Sequence, residues 1–123
     1  MSEHRRFPRI PTANTVLVTR VGEEVKDRFG RTQTMGLGGC GFVAEETLDL
    51  GSLVHLMIAV RPRAVQAQGR VVYCNERDDG LGYDVGVEFV DISPDDLYVV
   101  AELVRNEMQN RSDEESEPED LAG

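Results

Sequence analysis

The sequence predicts a mainly β chain: a small closed antiparallel barrel of about six strands, a C-terminal α-helix and a disordered acidic tail. Three observations carry this. Short runs of β-branched and aromatic residues alternate apolar with polar positions, which is the period of a half-buried strand. Turn residues separate the runs at short intervals, so consecutive strands pair antiparallel, and closing such a sheet removes its exposed edges. After Ser93 the apolar spacing becomes helical, and from Arg111 onward carboxylates dominate with almost nothing apolar. At 123 residues the chain has the size of one domain with its own core. The expected organisation is a flexible arginine segment over 1–11, the barrel and helix over 12–110, and the acidic tail over 111–123.

In order, Thr15-Val-Leu-Val-Thr19 is the first strand, followed by a turn at Gly22. The later half of Val25 to Met35 is a weak second strand. Gly36-Leu37-Gly38-Gly39-Cys40-Gly41 holds four glycines in six positions and leads into an apolar strand through Ala44. Glycines this dense mark positive φ or a close approach to the backbone, as at the bulged corner of a curved sheet. A strand, not a helix, follows them, which excludes a P-loop or a dinucleotide-binding turn. Leu53 to Val60 is apolar on both faces and central. Val65 to Cys74 alternates, with Val65, Ala67, Gly69, Val71 and Tyr73 on one face. Asp78-Asp79-Gly80 makes a hairpin turn, and Tyr83, Val85, Val87 and Phe89 line the last strand. Ser93-Pro94-Asp95-Asp96 then starts a helix with a side-chain cap, proline at the first helical position and carboxylates at the positive end of the dipole. Leu97, Val100, Ala101, Leu103, Val104 and Met108 form its apolar stripe, to pack on the barrel or on a partner.

The formal net charge is −10, and six of the carboxylates lie in the tail. A field of that sign repels polyanions and anionic membranes, so DNA, RNA and membrane-surface binding are not expected. There is no secretory leader and no apolar run of about 18 residues, and Cys40 and Cys74 read as reduced thiols of a cytoplasmic protein. Two cysteines with the isolated His4 and His55 do not make a metal site, and His55 inside a strand reads as a packing residue. No nucleophile stands near a base, and the paired carboxylates on regular elements are the capping Asp95 and Asp96, so no enzyme, cofactor or metal is expected.

One site is densely positive. Arg5, Arg6 and Arg9 put three guanidiniums within five positions. Arginine grips phosphate with a planar fork, bonds the O6/N7 edge of guanine twice and stacks on purines. A small anionic purine ligand would therefore suit the segment, although a merely solubilising basic terminus has the same composition. Pro8 restrains Phe7 to an extended form, in which Arg5 and Arg9 share one side.

Arg5-Arg6-Phe7-Pro8-Arg9 matches the RxxxR element of the PilZ domain, which the chain resembles over about residues 4–108. A second element, D/N-x-S-x-x-G, is matched in part, with Thr34 at the acidic or amide position, Gly36 at the serine and Gly39 at the glycine. Gly86-Val87-Glu88-Phe89 matches a late G-V-x-F strand before the helix. The resemblance implies a six-stranded PilZ-type β-barrel and a cytoplasmic, non-catalytic bacterial receptor for cyclic di-GMP, acting in signalling or motility as a monomer or weak dimer through a protein partner. It implies Arg5, Arg6, Arg9, Thr34, Gly36 and Gly39 as ligand-binding residues.

Thr34 and Gly36 depart from the pattern. Each lost polar partner costs about 1–3 kcal/mol, and every 1.4 kcal/mol is about tenfold in affinity. Backbone N–H groups of Gly36, Gly38 and Gly39 could compensate as an anion-binding nest. The alternative is a degenerate PilZ-like adapter that ignores the nucleotide and acts through protein contacts. Asp91-Ile92-Ser93 looks like the missing element, but it precedes a helix and lacks the glycine.

Overall fold

The computed structural model describes residues 9–22 and 28–122, with side chains to Asn110. The strands are β1 (Arg9–Pro11), β2 (Thr15–Arg20), β3 (Arg28–Gly36), β4 (Gly39–Ala44), β5 (Leu53–Val60), β6 (Arg63–Glu76) and β7 (Tyr83–Ile92), followed by α1 (Pro94–Ala122). Six of them close antiparallel in the order β3-β2-β5-β6-β7-β4, with β4 returning to β3, and β1 is an extra strand on β3. The six expected strands and the closed barrel are present.

Alternation explains why these segments form strands. In β5, Val54, Leu56 and Ile58 point into the barrel while His55 and Met57 are half-buried on the outside. Val16 and Val18 of β2, Phe42 of β4, and Val85 and Val87 of β7 meet them in one core. Fully burying a side chain of this size is worth about 1.5–3 kcal/mol, which selects this register over one shifted by a residue.

The sequence reading differs from the structure at the start of the chain. Residues 9–11, assigned there to a flexible segment, form β1. Ile10 is 1 % exposed and belongs to the core. β1 and β2 share one edge of β3: Arg9 pairs with Gly36 and Pro11 with Thr34, while Thr15 pairs with Arg31 and Val18 with Arg28. Side chains knit the gap between them. Thr12 and Thr32 share a hydroxyl hydrogen bond of 2.7 Å, Asn14 N donates to Thr32 Oγ1 at 2.8 Å, and Asn14 Nδ2 donates to the Ala59 carbonyl at 2.8 Å. Thr32, buried, thus has partners for its hydroxyl.

Ser93 caps α1 as expected: its Oγ accepts from Asp96 N at 3.1 Å. Asp96 Oδ2 also accepts from Gln66 N of β6 at 3.1 Å, fastening the helix start to the barrel. Val100 and Val104 enter the core beside Ile10, whereas Met108 is 45 % exposed and lies past the barrel contact. The helical backbone runs to Ala122, beyond the boundary at 110 suggested by composition. Among the described residues, no helix is long and apolar enough to cross a membrane.

Candidate functional site

The register of the sheet draws two rows of residues across the outside of the barrel. In the first, Arg9 (β1), Gly36 (β3), Gly39 (β4), Glu88 (β7) and Arg70 (β6) are successive cross-strand partners. In the second, the partners are Pro11, Thr34, Gly41, Gly86 and Tyr73. Of the six site residues expected from sequence, the structure brings Arg9, Thr34, Gly36 and Gly39 together on this face. Arg5 and Arg6 lie outside the described residues.

Glycines line the middle of both rows, and close packing accounts for Gly39 and Gly86. A Cβ at Gly39 would lie 2.1 Å from the Val87 carbonyl oxygen, and one at Gly86 would lie 2.0 Å from the Tyr73 ring. Left-handed φ does not: among the described residues the positive-φ glycines are Gly22, Gly51, Gly80 and Gly82. Gly36, Gly38 and Gly39 are not among them, so a nest there would draw on the turn conformation at Leu37-Gly38. The Leu37-Gly38 turn is tied to the barrel by Phe89 N, which donates to the Gly38 carbonyl at 2.8 Å.

The face is of mixed charge. Arg9 is half-buried and Arg70 exposed, and among the described residues neither has an ion-pair partner. Arg77, nearby on the β6–β7 turn, is committed: it pairs with Asp84 at 2.8 Å and Asp79 at 3.5 Å. Beneath the face, burial pushes the Cys40 thiol up to about 12, with the Arg9 charge pulling weakly the other way. At the far end of the β3–β4 pair a cavity of about 490 Å³ is lined by Phe29, Phe42, Glu45 and Glu46 among others. Its arginine, Arg28, is paired with Glu46, so it offers no free cation to an anionic ligand.

A family model for the PilZ domain matches residues 3–106. The chain belongs to the PilZ domain family. Solved PilZ structures share its fold at low identity. The PilZ domain of YcgR from Escherichia coli, with c-di-GMP, is 15 % identical with a TM-score of 0.70, covering 92 % of this chain and 98 % of that one. The Bacillus subtilis inhibitor of motility MotI/DgrA is 14 % identical with a TM-score of 0.73, over 87 % of this chain and 53 % of that one. The K. pneumonia MrkH–c-di-GMP complex is 15 % identical with a TM-score of 0.69, over 88 % and 53 %. This PilZ domain therefore spans about half the length of the MotI and MrkH chains. No curated protein sequence matches it.

Tyr73 is on the opposite face from the one alternation assigned. β6 carries a register shift between Val71 and Tyr73, so Val71 pairs with Val87 inside while Tyr73 pairs with Gly86 outside. Cys74 takes the next inward place, opposite Val85. The extra residue is Val72, 46 % exposed. An aromatic side chain covering a glycine on the neighbouring strand is a recurrent pairing in sheets, and Gly86 was the available signal. Arg70 and Glu88 were legible as outward residues, but their row with Arg9 depends on the closing of the barrel.

Proposed function

We propose that this PilZ domain is a cyclic-di-GMP-binding effector that changes its contact with a protein partner when the nucleotide binds. Arg5, Arg6 and Arg9 clamp the phosphates and guanine edges, and the ligand rests on the outer face bounded by Thr34, Gly36 and Gly39. The observation that carries the reading is the pairing of Arg9 with Gly36, which sets the arginine element against the second, glycine-rich one. Support also comes from the relatives with c-di-GMP bound, YcgR and MrkH. The same comparison supports reading the domain as a binding one, not a catalytic one, of the bacterial cytoplasm.

Binding engages Arg5 and Arg6 together with Arg9 on the face, and the occupied face offers a different surface to a partner. Calorimetric titration of the full chain with cyclic di-GMP tests this, alongside the Arg5→Ala/Arg9→Ala double variant. Saturable binding that the double variant loses is the expected result. Equal affinity in the two proteins removes the site assignment.

A second reading is favoured by one observation: Gly36 has no side chain and Thr34 contributes only a hydroxyl. An adapter that makes protein contacts without the nucleotide would show no heat up to about millimolar ligand, a binding free energy no better than about −4 kcal/mol. Thr34→Asp with Gly36→Ser would then create binding that the native chain lacks.

A further inference from the structure

The Gly41 position is flanked by two hydroxyls that come from distant parts of the chain. A Cβ built there would lie 2.9 Å from Thr34 Oγ1 and 3.2 Å from Tyr73 Oη. Gly41 is the register partner of both Thr34 and Gly86, and Gly86 is the partner of Tyr73, so the four strands β3, β4, β7 and β6 set the pair by their pairing. The phenol ring is held down in the space a side chain at 86 would occupy, and 37 % of Tyr73 is open to solvent. Among the described residues neither hydroxyl has a hydrogen-bond partner. The ring has a structural reason to be there, as cover for Gly86. The oxygen at its tip has none.

We propose that Thr34 Oγ1 and Tyr73 Oη form a two-hydroxyl clamp that donates hydrogen bonds to an acceptor oxygen of the bound nucleotide. The inference rests on the cyclic-di-GMP reading and supplies what that reading lacks. The partly matched second element has lost its carboxylate or amide and its serine hydroxyl. Tyr73, brought outward by the extra residue in β6, returns one hydroxyl from another strand, and Gly41 leaves room for both. The clamp lies one row from the Arg9–Gly36 pair on the same outer face, so a ligand held by the arginines reaches it without leaving the barrel surface.

The test is calorimetric titration of the full chain with cyclic di-GMP for the native protein, Tyr73→Phe, Thr34→Val, their combination and Arg5→Ala/Arg9→Ala, each with its thermal melt. Tyr73→Phe keeps the ring over Gly86, so its midpoint stays within about 2 °C of native. Each single variant is expected to bind about 5- to 30-fold more weakly. Because both hydroxyls serve one ligand oxygen, the combined loss is smaller than the product of the two. Native-like affinity in either single variant, with binding still abolished by the arginine pair, overturns the clamp and leaves the receptor reading standing. No binding by the native protein overturns both.

Discussion

Tyr73 of β6 and Gly86 of β7 are register partners, and the phenol ring fills the volume that a Cβ at position 86 would need. Gly86→Ala is thus an overpacking substitution that drives the ring off the face. The expected cost is about 1–3 kcal/mol, read as a lower midpoint in urea unfolding. Gly86→Ala/Tyr73→Ala should recover part of that loss, because the three atoms nearest the added Cβ all belong to the ring. No recovery would mean that position 86 is intolerant for a backbone reason.

Gly39 meets backbone, not a movable side chain: the Val87 carbonyl at 2.1 Å and Glu88 Cα at 3.0 Å. Gly39→Ala must therefore pull β4 away from β7 at the root of the Leu37-Gly38 turn. It should cost about 2 kcal/mol or more and weaken ligand binding as well. A variant with native unfolding behaviour would show that the hairpin tip shifts freely.

Cys40 is fully buried and its thiol is raised from an ordinary 9.0 to about 12. A native state that holds this proton more tightly than the unfolded chain is favoured at pH below about 9, and that contribution is lost as the pH rises from 9 toward 12. Cys40→Ser or Cys40→Ala should flatten this alkaline decline in stability. At pH 8 a thiol reagent should label Cys40 only as fast as the protein unfolds, and rapid labelling of both cysteines without unfolding would contradict the burial.

Among the described side chains of α1 the last buried one is Val104, and Met108 already stands open. We expect the acidic segment 111–123 to act as a tail outside the folding unit. Ending the chain after Asn110 should move the thermal midpoint by less than about 3 °C. A larger drop would show that the tail carries contacts of its own.

Most of the barrel was legible because a strand's period of two is written directly in its side chains, as Val54, Leu56 and Ile58 illustrate. What was hidden depends on pairing. β1 is too short to show a period, and β6 changes face at Val72, where one extra residue reverses everything after it. The glycines around Gly36 were visible as a group, but their cause was not. Density alone suggests left-handed turns, whereas Gly39 and Gly86 answer to a carbonyl and a ring contributed from elsewhere. For the same reason Arg9 and Gly36 could be matched to their motifs separately, while Tyr73 could be joined to Thr34 only once β6, β7, β4 and β3 were laid side by side.

β1 is three residues long, and its two faces belong to different parts of the protein. Arg9 and Pro11 look outward beside Gly36 and Thr34, while Ile10 sits in the core with Val100 and Val104 of the helix. The barrel closes without this strand. It therefore works like a short crank: a tug on its outer side, from a bound molecule or from a domain joined ahead of it, cannot turn it without moving Ile10 against the helix. Load applied on one surface is handed through a single isoleucine to another, and the closed barrel serves as the bearing.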